Sequence, residues 1–227
     1  MKKKWCIPTI GAEFVWRMED VLDVYARPYD PSHPVVCFDE KLVQLIMEVR
    51  QPWPLQPGRP VRYDYEYKRN GTCNLFVFYQ HRAGWRHVLV TDQRTKIDLA
   101  HCMRYLVDVL FPNADKIIIV LDNLNTHSPA SRYEAFEPAE AKRILDRLEF
   151  HPTPKHASWL NMVEIEIGAL SEQCLGERIP DTQTLKCEIG AWEMARNSPQ
   201  AAIDWQFGME NARTKLKRLY PNLSLLD

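Results

Sequence analysis

Lys116-Ile117-Ile118-Ile119-Val120-Leu121-Asp122 is an apolar run too short for a helix and rich in β-branched residues. It reads as a strand buried on both faces, ending in an aspartate. Such strands belong to α/β domains, in which helices cover the sheet. A second short run, Val35-Val36-Cys37-Phe38, likewise leads into Asp39-Glu40. If the two strands are parallel neighbours, both aspartates lie at the carboxyl edge of the sheet, where ligands gather in open α/β folds. Two carboxylates that close repel one another, and a divalent cation is the usual remedy. Taken singly, each aspartate is as readily a turn or helix cap.

Working outward, Ala12 to Ala26 carries Phe14, Val15, Met18, Val21, Leu22 and Tyr25 at helical spacing. The proline-rich stretch Arg27 to Pro34 breaks that helix and feeds the first strand. This divides the chain into an N-terminal helix and linker, 1–34, and a main domain, 35–227. Gln51 to Pro60 holds too many prolines for regular structure and reads as an extended, substrate-facing arm. Cys73 to Gln80 and Trp85 to Asp92 read as a hairpin closed at His81-Arg82-Ala83-Gly84. Helices are expected over Lys96 to Leu110, Pro138 to Arg147, Trp159 to Cys174, Thr182 to Arg196 and Gly208 to Leu216, with a short strand at Leu148 to His151. The order of elements implies a mixed β-sheet flanked by α-helices.

The 227 residues, 45% hydrophobic, are enough to bury a core without disulfides or a structural metal. Twenty-nine basic and 30 acidic residues nearly cancel, so any nucleic-acid contact must come from local patches. No apolar stretch reaches the ~18 residues of a membrane span, and no signal-peptide run follows Met1-Lys2-Lys3-Lys4. The expected setting is therefore cytoplasmic. Six scattered cysteines without metal-ligand spacing read as reduced packing residues. Trp53, Trp159, Trp192 and Trp205 are read as core or interface residues rather than base-stacking platforms.

Two further segments bear on chemistry. After Asp122, the polar stretch Asn123-Leu124-Asn125-Thr126-His127-Ser128-Pro129 opens a loop of the kind that carries functional groups. Thr153 to Glu166 leads into a helix for which Ser158 is a good N-cap, with Leu160, Val163, Ile167 and Leu170 as its apolar stripe. Glu164 and Glu166 flank that stripe on opposite sides, each about 80° from its centre, so the helical wheel does not choose between them.

Val36-Cys37-Phe38-Asp39-Glu40, Leu121-Asp122-Asn123-Leu124-Asn125-Thr126-His127, and Thr153-Pro154-Lys155-His156 through Asn161-Met162-Val163-Glu164 resemble the bacterial insertion-sequence transposases related to mariner elements. The resemblance spans about Ala12 to Pro221 and departs from the usual pattern at Ala157, where glycine is common. It implies a ribonuclease-H-like fold and an Asp-Asp-Glu metal triad carried by Asp39, Asp122 and Glu164. The glutamate is the one three residues after the motif asparagine, here Asn161, which leaves Glu166 as second choice. Three carboxylates suit Mg²⁺, with Mn²⁺ as substitute, and two ions would serve both DNA cleavage and strand transfer. The implied partners are transposon-end and target DNA, a second copy of the chain, and a separate helix-turn-helix polypeptide, since the chain starts after the family's recognition region. Asn125, His127, Lys155 and His156 are the expected DNA contacts near the site. Arg213, Lys215, Lys217 and Arg218 form a basic patch suited to DNA backbone. A nuclease that hydrolyses without joining, and a non-catalytic remnant, are the competing expectations.

Overall fold

The computed structural model describes residues 11–122 and 129–221. Among these residues five strands form one sheet: β1 (Val35–Glu48), β2 (Tyr67–Gln80), β3 (Trp85–Thr91), β4 (Ile117–Leu121) and β5 (Leu148–Pro152), in the order β3-β2-β1-β4-β5. β1 to β3 are antiparallel, while β4 and β5 run parallel to β1, so the sheet is mixed as expected. The hairpin between β2 and β3 requires Gly84. Its φ is +59°, and a Cβ there would collide with the Gln200 carbonyl.

Among the described residues seven α-helices flank the sheet: α1 (Ala12–Ala26), α2 (Lys96–Tyr105), α3 (Ser131–Ala135), α4 (Pro138–Asp146), α5 (Val163–Gln173), α6 (Thr182–Asn197) and α7 (Met209–Lys215). Period-two alternation divides the strands between two cores. Val35, Cys37, Val43 and Leu45 of β1 with Ile118 and Val120 of β4 face α1, α5, α6 and α7. Val36 and Phe38 with Ile117, Ile119 and Leu121 face α2 and α4. α1 is integral to the first core, since Met18, Val21, Leu22, Val24 and Tyr25 are all buried in it. The expected boundary at residue 34 therefore marks where the sheet begins, and the packing continues across it.

Several expected boundaries shift. β1 does not stop at Phe38 but continues to Glu48, because β2 itself starts at Tyr67 and pairs with the whole extension. Asp39 thus lies inside a strand. The helix expected over Lys96 to Leu110 changes at Leu106 into a π-helical turn. The helix expected from Trp159 divides into a 3₁₀ turn over Ser158–Leu160 and α5, and Ser158 caps neither. Asn161 causes the division: its backbone is extended (ψ 108°), and its side-chain amide donates to the Phe38 carbonyl at 2.9 Å. α3 was not foreseen. The proline arm carries two isolated bridges, Trp53 with Arg62 and Gln56 with Arg59, and it leaves Trp53, Leu55 and Tyr65 exposed. Trp159 is also exposed, whereas Trp192 is buried and Trp205 packs against the first core. Cys37, Cys73 and Cys102 are buried free thiols, and Cys187 is exposed. No helix among the described residues is long and apolar enough to cross a membrane.

Candidate active site

The parallel register sets the site. Val35 pairs with Ile118 and Cys37 with Val120, and all four face the α5 side. Two residues further along the chain come Asp39, still within β1, and Asp122, one residue past the end of β4. The parallel ladder ends at Cys37, so β1 and β4 part where the two aspartates stand. The Thr153 amide donates to the Leu121 carbonyl at 2.8 Å, which fixes the end of β4 immediately before Asp122. Asn161 performs the corresponding service on the other strand, tying the approach to α5 to Phe38 immediately before Asp39. The first turn of α5, which holds Glu164, is therefore anchored beside both aspartates.

The electrostatics follow from that placement. Asp39 is 7% exposed, and its Oδ1 accepts the Glu40 amide at 2.8 Å. Burial pushes its carboxyl up to about 7; the Glu40 amide opposes this, and the charges of Asp122, Glu164 and Glu40 add to the rise. Glu164, half-buried, is also raised, first by burial and then by Asp122, while Lys41 works in the opposite direction. Asp39 thus feels both other carboxylates, and Glu164 feels Asp122. Among the described residues, no three ligating side chains converge tightly enough to make a ready-formed metal cage. The donor set still fits a hard cation: it is all oxygen, and a cation relieves the repulsion and burial that now favour protons.

Glu166 has a different environment from Glu164 although only two residues away. It is fully buried, with Oε2 at 3.0 Å from Arg86 Nε in an ion pair and Oε1 accepting from Arg86 Nη2 at 3.5 Å. Arg196 Nη2 donates to both Glu166 oxygens, at 3.0 and 3.2 Å. Arg86, also fully buried, donates in addition to the carbonyls of Arg196 and Ala201 at 2.6 and 2.5 Å. Glu166 therefore anchors α5 to β3 and to the end of α6.

Of the expected DNA contacts, Lys155 and His156 are exposed ahead of α5, and His156 adopts a left-handed backbone (φ 64°). Asn125 and His127 lie outside the described residues. Lys215, Lys217 and Arg218 are exposed around the end of α7. Arg213 does not share their freedom, since it pairs in bidentate fashion with Glu19 of α1 at 2.9 and 3.0 Å and thereby joins the first and last helices. Sequence reasoning missed Lys41, Arg86 and Arg196. Lys41 would have been found had β1 been extended past Asp39, because two steps along a strand return to the same face.

A sheet with this strand order, bearing acidic residues where its parallel and antiparallel halves meet, is a ribonuclease-H-like fold. Residues 34–186 match the family described as DDE superfamily endonuclease, and the chain belongs to that family. In fold it is similar to the catalytic domain of Mos1 mariner transposase, with a TM-score of 0.54 at 14% identity over 86% of this chain and 88% of that one. It is also similar to the Mos1 mariner paired-end complex with Mn, with a TM-score of 0.55 at 16% identity over 88% of this chain. For the Mos1 strand transfer complex the TM-score is 0.51 at 16% identity over 96% of this chain. The chain spans 60% and 64% of the transposase chains in those two complexes. No curated protein matches the chain.

Proposed function

We propose that this chain is the catalytic domain of a transposase of the insertion-sequence type, related to mariner elements, that cuts DNA at transposon ends and joins the freed strand to target DNA. The observation that carries the proposal is the shared edge: Asp39 and Asp122 follow paired same-face positions on β1 and β4, and Glu164 is electrostatically coupled to both. In this reading Asp39, Asp122 and Glu164 hold Mg²⁺, or Mn²⁺ in its place, as two ions. Such ions, when bound, supply Lewis-acid activation of the attacking oxygen and stabilisation of the leaving one.

The chain's own contribution is placement and charge. A bound cation would supply the counter-charge that burial denies Asp39 and so favour its ionised form. Asn161 and the Glu166–Arg86–Arg196 cluster hold the α5 turn so that Glu164 cannot drift from the aspartates. Lys155 and His156 flank the approach to α5, and Lys215, Lys217 and Arg218 offer phosphate contacts further out, consistent with a near-neutral chain that engages DNA through local patches. Two copies acting on paired ends, in a cytoplasmic, nucleoid-associated setting, belong to the same reading.

The test is cleavage and joining by purified protein. Asp39→Asn, Asp122→Asn and Glu164→Gln should each abolish Mg²⁺- or Mn²⁺-dependent nicking of inverted-repeat DNA while leaving a cooperative thermal transition. Joined products in a strand-transfer assay separate a transposase from a nuclease that only hydrolyses. Nicking that persists in all three variants would end the proposal.

A further inference from the structure

Along the face of β1 that meets α5, Val35, Cys37, Val43 and Leu45 are buried, and only Asp39 and Lys41 interrupt the apolar series. Lysine is among the residues least often placed in such a stripe unless its charge has a use or a partner. Lys41 is half-buried, as suits a methylene stem laid on apolar surface with its ammonium at the water boundary. Among the described residues its side chain makes no ion pair or hydrogen bond. Its charge is nevertheless felt at Glu164, where it favours the ionised form. A cation within electrostatic range of the carboxylate edge, and bonded to none of its members, is available to something that arrives from outside.

The arriving group must be anionic and must tolerate a neighbourhood of carboxylates. A DNA phosphodiester meets both conditions only where positive charge is fixed in advance. The geometry points to Lys41 as a further catalytic residue, its Nζ contacting a non-bridging oxygen of the phosphate being cut. This rests on the DNA-cleaving function proposed above. As the attacking oxygen bonds to phosphorus and the bond to the leaving oxygen breaks, negative charge grows on the non-bridging oxygens. An ammonium held there by a strand stabilises that charge while keeping its own proton. Strand placement matters, because β1 is paired on both sides up to Cys37 and with β2 thereafter, so the lysine's origin moves little during reaction.

The experiment compares wild type with Lys41→Met and Lys41→Arg, with Lys41→Gln replacing the methionine variant if the latter melts poorly. Affinity for a short inverted-repeat duplex is measured against salt concentration, and single-turnover cleavage is measured at saturating Mn²⁺, with Mn²⁺ affinity determined by calorimetry. Removing one phosphate contact should lower the slope of log affinity against log salt by about 0.9. It should also slow cleavage by roughly 100-fold or more, with Mn²⁺ binding undiminished. Arginine should restore the slope. An unchanged slope in Lys41→Met overturns the proposal, as does a cleavage defect that merely tracks weakened Mn²⁺ binding. If wild type cleaves and the slope stays the same, Lys41 alone is misassigned; if wild type neither cleaves nor binds DNA, the proposed function and the lysine's role fall together.

Discussion

Replacing Glu166 with glutamine separates the two glutamates of α5 by their physics. The substitution keeps the volume and removes the charge, so Arg86 stays buried with its cation no longer compensated by Glu166. Breaking one partner of a buried pair costs about 3–5 kcal/mol. The lower end applies here, because Arg86 keeps its bonds to the Arg196 and Ala201 carbonyls and Arg196 itself reaches solvent. For a domain of this size each kcal/mol moves the melting point by about 2–4 °C, so a loss of about 3 kcal/mol lowers it by roughly 6–12 °C. Glu164→Gln should do the reverse. It relieves repulsion with Asp122 and leaves the metal-free melting point level or higher, but it removes much of the upward shift produced by millimolar Mn²⁺. Scanning calorimetry of both variants, with and without Mn²⁺, decides the matter. The assignment fails if Glu166→Gln melts within about 2 °C of wild type, or if it loses the Mn²⁺ response while Glu164→Gln keeps it.

Asp39 makes stability depend on pH. Its folded value, about 7, lies above the ordinary 3.8, so its contribution is full below about pH 4 and lost as pH rises through 7. Asp39→Asn should therefore gain stability relative to metal-free wild type between pH 5 and pH 8, by a widening margin, as read from paired denaturant titrations. Asn161→Ala deletes the 2.9 Å bond to the Phe38 carbonyl and should lower stability by about 1–3 kcal/mol in urea unfolding while weakening Mn²⁺ binding. Arg213→Ala loses a solvent-exposed pair and should leave the melting point close to that of wild type. In DNA-binding titrations its effect on the salt dependence should be smaller than that of Lys215→Ala or Lys217→Ala, whose ammonium groups make no ion pair among the described residues.

The buried strand Ile117–Leu121 was legible because both faces are apolar, and with it the position of Asp122. The course of β1 beyond Phe38 was not, because from Asp39 on it loses β4 on one side and its residues alternate between core and solvent. That error hid Lys41. Glu164 and Glu166 could not be told apart by helical periodicity, since the difference lies in Arg86, 80 residues away in sequence. Asn161 was visible as a motif residue, but its effect on where α5 starts depends on a carbonyl 123 residues distant. Ser158 has the right chemistry for a cap yet stands before a 3₁₀ turn, because the longer helix waits for Asn161 to complete its bond.

The clasp between α1 and the end of the chain bears on how the protein is made. Glu19 is held by Arg213 and Tyr220, partners 194 and 201 residues later, and α1 buries its apolar face in a core that also contains Ala212 of α7. A ribosome adding ~5–20 residues per second needs roughly 10–40 s to cover that separation. Throughout that interval Met18, Val21, Leu22 and Tyr25 have emerged while part of the surface that will cover them has yet to be synthesised. The nascent chain should therefore display a sticky amphipathic helix early and for long, which makes α1 the segment where ribosome-associated chaperones would bind during translation and where slowed elongation would first provoke aggregation.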